Sequence, residues 1–175
     1  MQSAILVRKT SLFAAAAVMA MANSACSTLA EKKSAGDRSE KTKVPVLATA
    51  YSSAAKCNGK WAGRNAIGGR LKSGAVNSAA SDWSRFPVGT KFRVVETGKV
   101  YVVDDYGSAM VGRDKVDLYM TDYRSVYRWG RRNVTLEVIE WGCHEKSLAI
   151  LKPRTRAPHV RRMVQALQKK VEDAG

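Results

Sequence analysis

The chain is poor in the residues from which most metal and nucleophile sites are built. It holds two histidines, His144 and His159, and three cysteines, Cys26, Cys57 and Cys143, among 175 residues. Neither histidine stands at a metal-ligand spacing from a cysteine or a carboxylate, so no metal site is expected. Both lie outside the stretch richest in strand-like runs and read as solvated, which speaks against a Ser-His-Asp or Cys-His unit. The glycines between residues 59 and 74 lack the Lys-Ser/Thr ending and the following helix of a phosphate cradle. No nucleotide or other cofactor is therefore expected. No apolar run reaches the roughly 20 residues of a membrane-crossing helix. Acidic residues are outnumbered, 15 against 30 Lys plus Arg, for a formal net charge of +15. With 45% hydrophobic and 26% charged residues, the composition is globular. It excludes an acidic disordered chain, a multi-span membrane protein and a collagen-like fibre.

What is present begins at the N-terminus. Arg8 and Lys9 precede an apolar run over residues 11–22, and the small residues Ser24 and Ala25 follow. These are the parts of a secretory signal peptide, expected over residues 1–25. Asn23-Ser24-Ala25-Cys26 resembles a bacterial lipobox, with Asn23 where an aliphatic residue usually stands. Lipidation of Cys26 is expected, with plain secretion as the alternative. Three cysteines are an odd number for an oxidising compartment; acylating Cys26 leaves Cys57 and Cys143 available to pair. Export also changes the meaning of the positive charge. The expected partner is an envelope polyanion, either lipid headgroups or a wall glycan bearing carboxylates, and not nucleic acid. One acyl chain anchors weakly, and a basic linker over residues 26–43 adds headgroup contact. The expected location is the bacterial envelope, in the periplasm or as an outer-membrane lipoprotein.

From residue 44 the pattern becomes strand-like. Residues 44–52, 91–96, 99–105, 116–120 and 134–140 read as strands, with a tight turn at Thr97-Gly98. Thr121 or Asp122 is placed to cap a short helix running to Trp129, and Gly130 to end it. Short strands and one brief helix over about 100 residues indicate a mainly β fold, a small barrel at residues 44–143. Residues 144–175 form a basic tail. Within it, residues 158–173 read as an amphipathic helix with Val160, Met163, Val164, Leu167 and Val171 on one face. That helix either docks on the barrel or a partner, or lies on a membrane or wall surface.

The chemistry rests with carboxylates. Residues 44–143 hold Asp82, Asp104, Asp105, Asp114, Asp117 and Asp122. Aspartate is uncommon inside strands, yet Asp104-Asp105 ends one strand-like run and Asp117 sits between Val116 and Leu118. Such a residue either accepts structural hydrogen bonds or lines a cleft as an acid/base group. Mutual repulsion and burial raise a carboxyl pKa, and a protonated acid is what glycosidic-bond cleavage uses. If Tyr101, Val103 and Asp105 share a face, Asp104 points the other way and reads as a solvated or turn residue.

Three ordered stretches resemble the three-aspartate ("3D") domain family. Leu47-Ala48-Thr49-Ala50-Tyr51 looks like its opening strand. Ala80-Ser81-Asp82, followed by Pro87-Val88-Gly89-Thr90, is similar to its second element. Val103-Asp104-Asp105-Tyr106-Gly107-Ser108-Ala109-Met110-Val111-Gly112 with Val116-Asp117-Leu118-Tyr119 resembles its third, and Trp129-Gly130 follows. The resemblance covers residues 44–142. It implies a six-stranded double-psi β-barrel and lytic transglycosylase activity on peptidoglycan, as in membrane-bound lytic transglycosylase A and resuscitation-factor-like wall proteins. The family aspartates fall on Asp82, Asp105 and Asp117. Asp117 would be the general acid that then turns base. Asp105 would line the same cleft and hold the Asp117 pKa up. Asp82 would bond backbone N–H groups before Phe86-Pro87. The interval from Asp105 to Asp117 is one residue longer than the family's usual spacing, which keeps Asp104 as a substitute. Lys72 is either a solvated loop residue or a partner for a carboxylate. Two rivals stay open. One is a non-catalytic glycan-binding module, with Trp61, Trp83, Tyr101, Tyr119 and Tyr127 as a candidate aromatic platform. The other is an envelope scaffold that uses its C-terminal helix.

Overall fold

Five short runs rich in β-branched and aromatic residues, and a sixth of small and polar ones, form six strands, and none has a free edge. The computed structural model describes residues 42–53 and 63–173. The expected signal segment, Cys26, almost all of the linker, Cys57 and Trp61 lie outside the described residues. The strands are β1 (Lys43–Tyr51), β2 (Asn77–Ser81), β3 (Lys91–Val94), β4 (Val100–Tyr106), β5 (Lys115–Tyr119) and β6 (Arg132–Glu140). They close in the order β1-β5-β2-β4-β3-β6. Two neighbouring pairs, β1/β5 and β2/β4, are parallel, and the others are antiparallel. Closure removes the unpaired edges that an open sheet of this size would present. The expected mainly β barrel of six strands is thus present.

Local signals set the connections. Gly98 has φ +69° and donates to the Val94 carbonyl at 2.8 Å, turning β3 into β4. Helix α1 (Tyr123–Trp129) starts where Asp122 accepts from the Ser125 N–H at 2.8 Å. It stops at Gly130, whose positive φ lets its N–H reach Val126. Strand β2 carries little β propensity of its own (Asn-Ser-Ala-Ala-Ser), and all five residues are buried; pairing on both sides builds it.

Two further helices follow the barrel, α2 (His144–Leu151) and α3 (Pro158–Glu172), joined by a 3-10 turn at Lys152–Arg154. The apolar face of α3 packs inward. Leu151, Val160, Met163, Val164 and Leu167 are in one core with Trp83, Phe86, Val88 and the barrel interior. The helix is docked on the barrel, so a surface-lying apolar face and a scaffold role for that face are both set aside. The join is tight at Gly142, where a Cβ would collide with the Pro87 and Val88 carbonyls. Ser147 Oγ accepts from the Val88 N–H at 2.9 Å across the same seam. Both histidines are half-buried, in contrast to the solvated expectation; His159 packs its ring 6.1 Å from that of Tyr106. Among the described residues no helix is long and apolar enough to cross a membrane.

Candidate active site

Strand alternation turns one set of side chains into the barrel and the other outward. Val46, Ala48, Ala79, Val103, Val116 and Leu118 are in the core. Their neighbours Thr49, Asp117 and Ala80 therefore face the outer side. The register aligns them: Thr49 opposes Asp117, Asp117 opposes Ala80, and Ala80 opposes Asp105. Four strands thus present a row of Thr49, Asp117, Ala80 and Asp105 on one outer wall. Only a methyl group separates the two carboxyl positions, whose strands lie about 10 Å apart at the usual inter-strand spacing.

A β-bulge decides where Asp104 goes. The β2/β4 register shifts between Ala79, paired with Val103, and Ala80, paired with Asp105. Asp104 is the extra residue, and a bulge breaks the alternation. Val103 stays in the core while Asp104 and Asp105 both turn to the outer wall. The expectation of a solvated Asp104, with Asp105 sharing the face of Val103, is overturned for this reason. Asp104 is 2% exposed. Its Oδ2 accepts from Ser78 Oγ at 2.7 Å and from Asn65 Nδ2 at 2.9 Å. Burial pushes its pKa up, and those two donors and the Lys72 charge push it back down. Lys72 thus acts electrostatically on Asp104 from an exposed position.

Asp105 accepts from the Tyr106 N–H at 2.9 Å and from the Tyr51 hydroxyl at 3.3 Å. Burial, with the Asp104 charge adding to it, raises its pKa to about 6 against the donation from Tyr106 and Tyr51. Asp117 accepts from Thr49 Oγ1 at 2.7 Å. Its pKa is also raised by burial, opposed by Thr49 and by Lys115. Asp105 is not among the groups acting on Asp117, so the expectation that it holds the Asp117 pKa up is corrected. The repulsion falls between the adjacent Asp104 and Asp105, while the spacing across Ala80 keeps Asp117 apart. The Tyr51 hydroxyl ties the group together: burial and the charges of Asp105, Asp104 and Asp117 all raise its pKa.

Asp82 stands apart from this row. It is 2% exposed and accepts from the Ser84 N–H and hydroxyl and from the Gly112 N–H, at 2.7–2.9 Å. These bonds fix the turn before Phe86 and anchor the loop leading to β5. Cys143 has a free thiol, which donates to Glu145 and accepts from the Lys146 N–H at the start of α2. The other cysteine of the expected pair, Cys57, lies outside the described residues. Trp83, Tyr101 and Tyr119 are buried, leaving Tyr127 alone exposed among the described members of the expected platform. No group of three His, Cys, Asp or Glu side chains able to hold a metal occurs among the described residues.

A cavity of about 710 Å³ opens beside Asp105, walled by Tyr51, Leu71 and Tyr106 and flanked by Arg64 and Arg154. Asp117 does not line it. Its outer wall is the segment 63–72, which Asn65 shapes by accepting from the Gly69 N–H at 2.7 Å while donating to Asp104. Arg154 reaches it from the helix pair and donates to the Ala66 carbonyl at 2.8 Å. The volume is that of an ordinary small-ligand site.

Residues 77–140 match the family model of the 3D domain. The expected resemblance to the 3D domain family is borne out over that stretch. The matched segment holds Asp82, Asp104, Asp105 and Asp117 with Ser78, Ala80 and Tyr106; Thr49, Tyr51 and Asn65 come from outside it. A relative in Bacillus subtilis (strain 168), YabE, provisionally named a cell wall shaping protein, is 33% identical over 97 residues. Those residues are 55% of this chain and 23% of YabE, so the chain spans about a quarter of that relative's length. Around the 3D domain, sequence reasoning missed three site residues. Thr49 and Tyr51 were findable, because alternation places them opposite Val46 and Ala48. Asn65 carries no signal beyond its neighbouring glycines.

Proposed function

We propose that this protein acts on the bacterial cell wall as a peptidoglycan lytic transglycosylase, with Asp117 as its single general acid and base. The observation that carries the reading is the pair of half-buried carboxyls, Asp117 and Asp105, on one wall of a 3D domain, both with raised pKa. A carboxyl whose pKa burial has raised keeps its proton to higher pH than an ordinary aspartate, which suits it to protonate the oxygen that leaves C1 of the muramyl sugar. The carboxylate so formed then takes the proton of that sugar's own 6-hydroxyl. Its oxygen closes on C1, giving a 1,6-anhydro end without consuming water. Thr49 orients the Asp117 carboxyl by its 2.7 Å hydrogen bond. Asp105 and Tyr51 supply a second polar contact to the sugar, across Ala80 from Asp117. Substrate and location follow from the same reading: peptidoglycan strands in the envelope, reached by export, with a lipid anchor at Cys26.

The non-catalytic glycan-binding reading loses ground because three of the aromatics proposed for its platform are buried. The test is digestion of purified peptidoglycan by the wild-type protein and by Asp117→Asn, with products read by mass spectrometry. Anhydro-muropeptides that disappear in the variant are expected. Equal activity in the variant, or wall binding with no cleavage by either protein, would reject the proposal.

A further inference from the structure

The cavity beside Asp105 has two cationic groups that no carboxylate neutralises among the described residues. Arg64 lies in the 63–72 segment and Arg154 at the end of the 3-10 turn, and both face solvent. Neither belongs to an ion pair among the described residues. Among the described residues the Arg154 guanidinium donates to the Ala66 carbonyl alone, and its other N–H groups meet no acceptor there. Asp105 is the one acid lining the cavity among the described residues, and the groups acting on its pKa are Asp104, Tyr51 and backbone N–H groups, with neither arginine among them. The cationic charge is therefore not spent on the catalytic wall. A second cavity of about 430 Å³ adjoins the first, shares Arg64 and Gly68 with it, and adds Arg70. The polar ends of this region are thus positive, while its walls are aromatic and aliphatic.

We propose that Arg64 and Arg154 form a carboxylate-binding pair, and that the ligand of this cavity is a glycan bearing a carboxylate on the sugar next to the cleaved bond. Guanidinium groups match carboxylates through paired N–H donors. Both arginines lie outside the matched residues 77–140, so the site is a property of this chain's flanking segments. Because Arg154 belongs to the helix pair, that pair has a second task besides completing the core: it brings one wall of the binding site to the barrel. The carboxylate has two sources, the lactyl group of a peptide-free muramyl sugar or the stem peptide where one is attached. The inference rests on the reading of the wall as substrate.

The test is made in the Asp117→Asn background, where binding is read without cleavage. The probes are peptide-free glycan fragments, peptide-bearing fragments, and both with their carboxylates converted to methylamides. Replacing Arg64 and Arg154 by Gln together should weaken binding of an acid form about tenfold and leave its methylamide unchanged. Arg154→Lys keeps a cation and a donor to Ala66, and should recover part of the affinity. Dependence with peptide-free fragments assigns the lactyl carboxylate; dependence with peptide-bearing fragments alone assigns the stem. An equal loss for acid and methylamide in a folded variant, or no loss for either, overturns the pair. Arg-dependent binding without any cleavage by the wild type would uphold the pair and reject the enzyme. Cleavage indifferent to both arginines would do the reverse.

Discussion

The barrel has two unlike walls. On β3 and β6 burial alternates through Phe92, Val94, Val134, Leu136 and Val138, with half-buried or exposed residues between them, up to a register shift beside Lys91 and Ile139. The outer face there is salted with Lys91–Glu140 at 2.6 Å and Arg93–Glu137 at 3.8 Å. On β5, β2 and β4 the outer face is itself covered, and it holds Asp104, Asp105, Asp117 and Ser78. One wall uses charge for solubility in open water. The other keeps carboxyls where water is scarce, so their protonation becomes adjustable. The difference lies in what covers each wall. The segment 63–72 and Tyr51 shield the aspartate wall, and nothing comparable lies over the salted one among the described residues.

The comparison breaks most severely at Asp117. Asp117→Asn should lower cleavage of peptidoglycan by about a thousandfold, the usual worth of a general acid, with the circular dichroism spectrum unchanged. Glu140→Gln on the other wall should leave cleavage at the wild-type rate. Activity should also fall as pH rises through the raised pKa of Asp117, because the protonated form is the one that donates.

Stability should separate the walls next. The folded-state pKa of Asp105 is raised to about 6, above the 3.8 of an ordinary aspartate. A raised carboxyl pKa means the fold prefers the neutral form. The wild type is at full stability with respect to this group below pH ~4, and loses up to about 3 kcal/mol as pH rises through 6. Asp105→Asn should therefore raise the melting temperature at pH 7 and bring no gain at pH 4. Urea titrations at the two pH values measure this directly.

Asp104→Ala should cost about 1–3 kcal/mol, because Ser78 and Asn65 would be left buried without their acceptor. The 63–72 segment should become more open to protease in that variant. The smallest effect is expected on the salted wall. Lys91→Ala removes an exposed ion pair and should shift stability by less than about 1 kcal/mol. If Lys91→Ala and Asp104→Ala proved equal, the distinction between the walls would fail.

These walls also differ in how well the sequence announces them. The β3–β6 side is legible over most of its length, since period-two burial against one core shapes it as far as the register shift beside Lys91. The same holds for α1, whose Asp122 and Gly130 caps act through bonds only a few residues long. The aspartate wall is only half legible. The positions Asp105 and Asp117 stand out because aspartate is rare in strands, and the family resemblance named them. The environment of Asp104 does not stand out, since a bulge between Ala79 and Ala80 is a product of register across two strands. Strand β2 itself is hidden for a related reason: five small or polar residues become a strand only because β4 and β5 pair with it. Helix α2 and the inward docking of α3 depend on contacts with Trp83 and Val88 more than 50 residues away in sequence.

Digestion of peptidoglycan in water enriched in oxygen-18 tests the central claim most directly. The account predicts new muramyl ends that carry no label and have the mass of an internal anhydro bridge, because the sugar's own 6-hydroxyl closes on C1. Labelled reducing ends would contradict it, showing that water attacks C1 and that the aspartate wall works as a hydrolase.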